Sequence, residues 1–194
     1  MSYKVTVIIP TYNSVEFLDS TIASIMNQSI GFENIELIIV DDYSTDNTQE
    51  LINSYCEKYE NIKTFESGKK TGTPGRARNI GIANSTAEYI MFIDHDDNYL
   101  PESVEKLYNA VTKNSCDVAI GKFQTFGEQK IVPEDWITHD VVLNSIDEDL
   151  RFFSIIFRKF YLSEFIFSSF AFVGTFITTS VPFPTSLSRT IFAS

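Results

Sequence analysis

Tyr89-Ile90-Met91-Phe92-Ile93-Asp94-His95-Asp96-Asp97 decides the reading of this chain. Five apolar residues in succession suit a strand buried on both faces of a sheet. Four polar residues follow at once, three of them carboxylic. In a parallel sheet, ligands bind outside the carboxyl ends of the strands, which is where this tetrad falls. In extended backbone Asp94 and Asp96 point one way and His95 the other. Two hard oxygen ligands at that spacing suit Mg²⁺ or Mn²⁺, which keep positions open for water and phosphate oxygens.

The same pattern recurs upstream. Val5-Thr6-Val7-Ile8-Ile9 runs into Pro10-Thr11-Tyr12-Asn13, and Glu36-Leu37-Ile38-Ile39-Val40 runs into Asp41-Asp42. Any one such cluster can be a turn or a helix cap. Three together bring several carboxylates to one sheet edge, where they repel unless a cation or proton intervenes. Between these strands, Leu18, Ile22, Ile25 and Met26 recur at helical spacing, as do Leu51, Ile52, Tyr55, Cys56 and Tyr59 behind a cap at Ser44 or Asp46. Ile62 to Phe65 reads as a short third strand, and a loop with Gly68, Gly72, Pro74 and Gly75 leads into a helix from Arg76 to Asn84. After the acidic tetrad, Pro101 opens a helix with Val104, Leu107, Tyr108 and Val111 on one face, and Asp117 to Phe123 reads as a fifth strand. This alternation predicts an α/β fold with a mostly parallel sheet and right-handed crossovers.

The chain has 194 residues, a length that suits one domain, and carries 15 Lys+Arg against 26 Asp+Glu, a formal net charge of −11. That balance argues against nucleic acid as a partner bound through bulk charge. Neither GxxxxGK[ST] nor GxGxxG occurs, so a nucleotide must be held by carboxylates, metal and arginine rather than by a glycine cradle. Arg76 and Arg78, after the Gly-Pro-Gly loop, can supply positive charge against a diphosphate. His95 and His139 are the only histidines, and Cys56 and Cys116 stand in no CxxC, so zinc and dithiol chemistry lack support. The N-terminal apolar run is too short for a signal peptide or a membrane span, and a reducing cytoplasm is the expected residence.

Taken together, VTVIIPTYN (5–13), ELIIVDDYSTDNT (36–48), GRARNIGI (75–82) and YIMFIDHDDNY (89–99) resemble, in order and spacing, the family 2 glycosyltransferases. The resemblance covers about residues 4–125. It implies a Rossmann-like GT-A nucleotide-diphospho-sugar transferase fold, with a mostly parallel central sheet flanked by helices. It also implies inverting, metal-dependent transfer of a sugar from a UDP-sugar donor to a hydroxyl acceptor, in the synthesis of a cell-wall, capsule or other surface polysaccharide. Carried over by position, Pro10, Thr11 and Tyr12 line the nucleoside and Asp42 hydrogen-bonds the base, usually uracil. Arg78 sits near the nucleotide, and His95 belongs to the same nucleotide-sugar-binding set. Asp94 faces ribose and metal, and Asp96 is the direct ligand of Mn²⁺ or Mg²⁺. TGTPGRARN (71–79) is also similar to the GGPGxxRN loop of transferases that add N-acetylglucosamine to polyribitol-phosphate wall teichoic acid. That likeness makes a glycan or polyol phosphate the expected acceptor. Many relatives have Asn in this loop where Lys70 stands here.

The far end departs from the family. An inverting transferase needs a carboxylate to take the proton of the acceptor hydroxyl. Family members carry it in an acidic pair downstream of the DxD element, and residues 156–162 resemble the segment before that pair. From Phe165 to Ser194 there is no Asp, Glu or Lys, and Arg189 is the only charge. The general base is therefore unassigned. The expected organisation is a GT-A domain over 1–164, with its donor half at about 4–125, and an atypical Phe/Ser/Thr-rich tail over 165–194, poorly ordered or aggregation-prone. The tail reads as an abnormal or cut-off end rather than a spanning helix, and peripheral association with the inner face of the membrane stays open, as does oligomeric state. A catalytically inactive nucleotide-sugar-binding fragment is the alternative. A phosphotransfer protein is a third reading, set aside because Asn98 stands where a haloacid-dehalogenase-type motif has Thr or Val, and no phosphoacceptor Asp and Lys follow LIIVDD in response-regulator fashion.

Overall fold

The structure is a computed structural model that describes residues 2–113 and the strands at 118–121, 141–143, 154–158 and 190–193. In chain order the strands are β1 (Val5–Thr11), β2 (Ile35–Asp41), β3 (Ile62–Glu66), β4 (Tyr89–Phe92), β5 (Val118–Gly121), β6 (Val141–Leu143), β7 (Ser154–Arg158) and β8 (Thr190–Ala193). The helices are α1 (Leu18–Met26), α2 (Thr48–Cys56), α3 (Pro74–Asn84) and α4 (Ser103–Lys113). One sheet contains all eight strands in the order β3-β2-β1-β4-β7-β5-β8-β6.

The first four strands are parallel, with Val5 to Thr11 opposite Ile35 to Asp41 and Val5 to Ile8 opposite Tyr89 to Phe92. Strand β7 then enters antiparallel between β4 and β5, which leaves β5 running with β4. Strand β8 runs parallel to β5, and β6 closes the sheet antiparallel to β8. The mostly parallel α/β arrangement is thus present, with β6 and β7 reversed. Residues 154–158 include the start of the segment that resembles the approach to the acidic pair, and they lie directly beside β4. Of the tail, Thr190–Ala193 pairs with β5 rather than standing apart from the sheet. The rest of the tail lies outside the described residues, as does Cys116.

Period-2 alternation sends the two faces of the strands to different helices. Val5, Val7, Ile9, Leu37, Ile39 and Met91 pack with α1, α2 and α4 through Leu18, Ile22, Ile25, Ile52, Val104 and Leu107. Ile8, Ile38, Val40 and Ile90 pack with α3 through Ala77 and Ile82. Both faces are apolar because both are covered, which is why the strands read as unbroken apolar runs. Truncating any of these buried isoleucines to Ala should cost about 2–5 kcal/mol.

Two buried polar residues, Thr6 and Glu36, interrupt the α3 face. Glu36 is fully buried, and it accepts from Thr6 Oγ1 at 2.6 Å, Lys63 Nζ at 2.6 Å and Thr86 N at 2.7 Å. Burial alone would raise its carboxyl, but these donors outweigh it and hold the group below the ordinary glutamate range. Among the described residues no helix is long and apolar enough to cross a membrane.

Candidate functional site

The carboxyl ends of β1, β2 and β4 lie side by side, and the loops beyond them carry most of the site residues expected from sequence. Beyond the strand ends Asp94 meets Arg78 of α3, and Asp42 and Tyr12 meet Thr71, Gly72 and Lys70 of the loop that leads into α3. Pro10 and Thr11 are buried within β1 itself.

The first two loops are stitched to each other. Asn13 N donates to Ser44 Oγ at 2.8 Å, Thr45 N donates to Asn13 Oδ1 at 2.8 Å, and Ser14 N donates to Thr48 Oγ1 at 2.8 Å. Asn13 has a positive φ of 47°, a conformation that Asn tolerates through such local bonds. Tyr43 also has a positive φ, 71°, which is costly for a bulky residue. Of the two expected caps of α2, Asp46 accepts from Thr48 N at 3.1 Å, while Ser44 bonds Asp41 instead.

The two adjacent aspartates have different tasks. Asp41 accepts from Ser44 N at 3.0 Å and shapes the turn after β2. Asp42 accepts from Thr71 N at 3.0 Å, Thr71 Oγ1 at 3.0 Å and Gly72 N at 2.9 Å. Burial would raise the Asp42 carboxyl, yet the donors of Ser67, Thr71 and Gly72 keep it below the usual aspartate range. Asp42 therefore stays charged and fastens the loop between β3 and α3. From that loop Lys70 Nζ reaches Tyr12 Oη at 2.6 Å.

Arg78 projects from α3 and is 9% exposed. Its Nη2 donates to Asp94 Oδ1, its guanidinium carbon lies 5.8 Å from the Phe92 ring centre, and its buried Nε has no hydrogen-bond partner among the described residues. Helix α3 approaches closely enough for this because Gly81, one turn further on, lies against Ile8. Arg76, by contrast, is exposed in the first turn of α3.

The acidic tetrad is not extended. Asp97 N donates to Asp94 O at 3.1 Å, so His95 and Asp96 occupy the centre of a turn. This corrects the alternation argument for Asp94 and Asp96: the bond from Ile93 N to Ile8 O at 3.2 Å is the last that ties this strand to β1, and the chain turns directly after it. Two residues outside the sequence expectation set the turn's position. Thr21 Oγ1, from α1, lies 2.8 Å from the carbonyl oxygens of both His95 and Asp97, and Tyr99 Oη donates to Phe92 O at 2.9 Å. No sequence signal distinguishes Thr21 from any other polar residue on α1.

Asp94 and Asp96 are exposed and His95 is half-buried. Asp97 is exposed as well, yet partial desolvation, followed by the charges of Asp96 and Asp94, pushes its carboxyl above the usual range, so the crowding expected of these carboxylates is present. Among the described residues, no three His, Cys, Asp or Glu side chains gather into a complete protein cage for a metal. A Mg²⁺ or Mn²⁺ ion held by one or two carboxylates, with phosphate oxygens and waters completing its shell, needs no such cage. The donor set fits that kind of ion.

Comparison with known proteins agrees with this fold. The family described as Glycosyl transferase family 2 matches residues 6–175. Poly(ribitol-phosphate) beta-N-acetylglucosaminyltransferase TarP of Staphylococcus aureus is 40% identical over 132 residues, covering 68% of this chain and 40% of TarP. Poly(ribitol-phosphate) beta-glucosyltransferase of Bacillus spizizenii is 37% identical over 121 residues, covering 62% of this chain and 19% of that protein. The chain thus spans less than half the length of either relative. The crystal structure of S. aureus TarS 1-349 in complex with UDP superposes with a TM-score of 0.72 at 27% identity, covering 83% of this chain and 48% of that one.

Proposed function

This chain belongs to glycosyl transferase family 2, and from that premise we propose that it binds a UDP-sugar and transfers the sugar, with inversion, to a hydroxyl of a polyol-phosphate polymer or related surface glycan. The observation that carries the reading is the convergence of Tyr12, Asp42, Asp94 and Arg78 at the ends of three adjacent parallel strands. The names of the similar proteins, poly(ribitol-phosphate) transferases and a TarS structure with UDP, support donor and acceptor class.

Each residue has a task in this reading. The uracil stacks on Tyr12 and gives its N3–H to the Asp42 carboxylate. Two hydroxyls near Asp42 can yield place to that N–H, because Thr71 Oγ1 also reaches Thr73 O at 3.0 Å and Ser67 Oγ reaches Lys69 O at 2.7 Å. Arg78, largely withdrawn from water, faces the diphosphate with a guanidinium whose charge is weakly screened there. Asp96, with Asp94, would hold Mn²⁺ or Mg²⁺, which neutralises charge on the departing diphosphate. In the transfer, the acceptor oxygen bonds the anomeric carbon as the bond to the diphosphate breaks. UDP leaves, and the hydroxyl proton passes to a base. The reading places the reaction on the cytoplasmic side, at the membrane face where a polymer acceptor grows.

A second reading is donor binding without transfer: residues 165–194 hold no Asp or Glu, and no residue of 1–194 is assigned as the general base. The discriminating experiment follows label from a UDP-sugar into polyribitol phosphate while donor binding is measured on the same sample. Transfer establishes the first reading, binding without transfer the second, and failure of both overturns the donor assignment.

A further inference from the structure

Helix α1 carries a polar stripe beside its apolar one. Leu18, Ile22 and Ile25 enter the core, while Thr21, Ser24 and Gln28, at helical spacing, meet the chain that follows the acidic tetrad. Ser20 Oγ donates to Asn98 Oδ1 at 3.1 Å, and Ser24 Oγ accepts from Tyr99 N at 3.1 Å. Gln28 Nε2 donates to Leu100 O at 2.8 Å, Gln28 Oε1 accepts from Val104 N at 2.9 Å, and Ser29 N donates to Pro101 O at 2.8 Å. Residues 95–104 are thus laid along α1 and the turn that ends it. Thr21 stands at the end of that line nearest the acidic residues.

We propose that Thr21 is a positioning residue for the divalent cation, its hydroxyl fixing the turn that presents Asp94 and Asp96. The inference rests on the metal-dependent UDP-sugar reading above and names the residue that keeps its metal ligands in place. Thr21 is 1% exposed, and its Oγ1 lies 2.8 Å from both His95 O and Asp97 O. Those carbonyls bracket Asp96. One hydroxyl proton shared between them therefore ties the backbone on both sides of Asp96 to α1, while Asp94 and Asp96 themselves stay exposed.

The turn needs such a hold. Asp94, Asp96 and Asp97 repel one another, and the repulsion favours opening the turn. A cation is bound tightly by two carboxylates only if both are kept at ligand spacing, and groups that orient the ligands govern affinity nearly as much as the ligands do. Thr21 supplies that order from α1, whose apolar side is anchored in the core. A methyl in place of the hydroxyl leaves the carbonyls of His95 and Asp97 without this donor. The apolar contacts of α1 and the corner formed by Tyr12 and Asp42 are left as they are.

The test is calorimetric titration of the full chain with UDP, with and without Mn²⁺, for the wild type, Thr21→Val, Thr21→Ala, Thr21→Ser and Gln28→Met. The wild type should bind UDP more tightly with Mn²⁺. Thr21→Val and Thr21→Ala should weaken UDP about 10- to 100-fold in Mn²⁺, the usual cost of removing a group that orients a metal ligand, and by less than about threefold without metal. Thr21→Ser, which keeps the hydroxyl, should recover most of the metal response. Gln28→Met removes bonds at the other end of the line, so it should lower the melting temperature yet keep the metal response. Loss of UDP affinity by one factor with and without Mn²⁺, or the same pattern in Gln28→Met, would reduce Thr21 to a structural role and overturn the proposal. So would a full metal response in Thr21→Val. If wild-type UDP affinity does not respond to Mn²⁺, the metal reading fails and this inference with it. Absence of UDP binding by the wild type would instead overturn the donor assignment on which both stand.

Discussion

Gly81 of α3 faces Ile8 of β1 with no room for a side chain: a Cβ on Gly81 would lie 2.4 Å from Ile8 Cγ2. This contact sets how deeply α3 sits on the sheet. Arg78 is carried on the same helix one turn earlier, so the contact also sets where the guanidinium meets Asp94.

Gly81→Ala should therefore destabilise the protein by about 1–3 kcal/mol, although Ala is the better helix former. Chemical denaturation checks the sign. The same variant should lose UDP affinity, because the helix that carries Arg78 must lift.

Glu36 makes a pH prediction. Its carboxyl is held below the ordinary range in the folded state despite burial. Such a group adds stability above its unfolded pKa, about 4.3, and loses that contribution as pH falls through the lower folded value. Glu36→Gln should cost about 1.5–3 kcal/mol at pH 7. The gap between wild type and variant should stay constant down to about pH 5 and narrow progressively as pH falls further, through the lowered folded value. A gap that does not narrow at all on acidification below about pH 4 would show that the charge of Glu36 is not its source.

Tyr43 sits at a φ of 71° with its side chain 54% exposed. A left-handed conformation costs an L-residue about 1–2 kcal/mol, and glycine escapes that cost. Tyr43→Gly should raise the melting temperature by a few degrees. An unchanged or lower melting temperature would mean that the Tyr43 ring stabilises the fold by at least as much as its backbone strains it.

Much of this architecture was legible in the residues. β1, β2 and β4 are covered on both faces, so they stand out as apolar runs, and the polar residues after them mark the site edge. The boundaries were less legible. β1 continues through Pro10 to Thr11, because beyond Ile8 only β2 pairs with it and a residue without N–H is tolerated there. β7 was invisible as a sheet member, since its pairing with β4 and β5 joins residues far apart in sequence. The turn at His95 and Asp96 departs from strand alternation, because it lies beyond the last residues paired in the sheet. The hold of Thr71 and Gly72 on Asp42 has no local signature, as it depends on the loop folding back across the end of β2.

Metal dependence separates the carboxylates of the tetrad. Donor affinity should rise on adding Mn²⁺ or Mg²⁺, and Asp96→Ala should abolish that response more fully than Asp97→Ala. Asp96 is exposed at the centre of the turn, whereas Asp97 closes the turn through its backbone. Titration of the donor with and without metal checks this. A larger effect at Asp97 would reassign the ligand.

The central claim is that the corner formed by Tyr12 and Asp42 is a uracil site. Calorimetric titration of the full chain with UDP, GDP and ADP tests it most directly. The account predicts that UDP binds tightest, and that Asp42→Ala weakens UDP by about 1–3 kcal/mol, the range for losing a charge-assisted hydrogen bond. Binding of GDP or ADP as tight as UDP, or tighter, would contradict it.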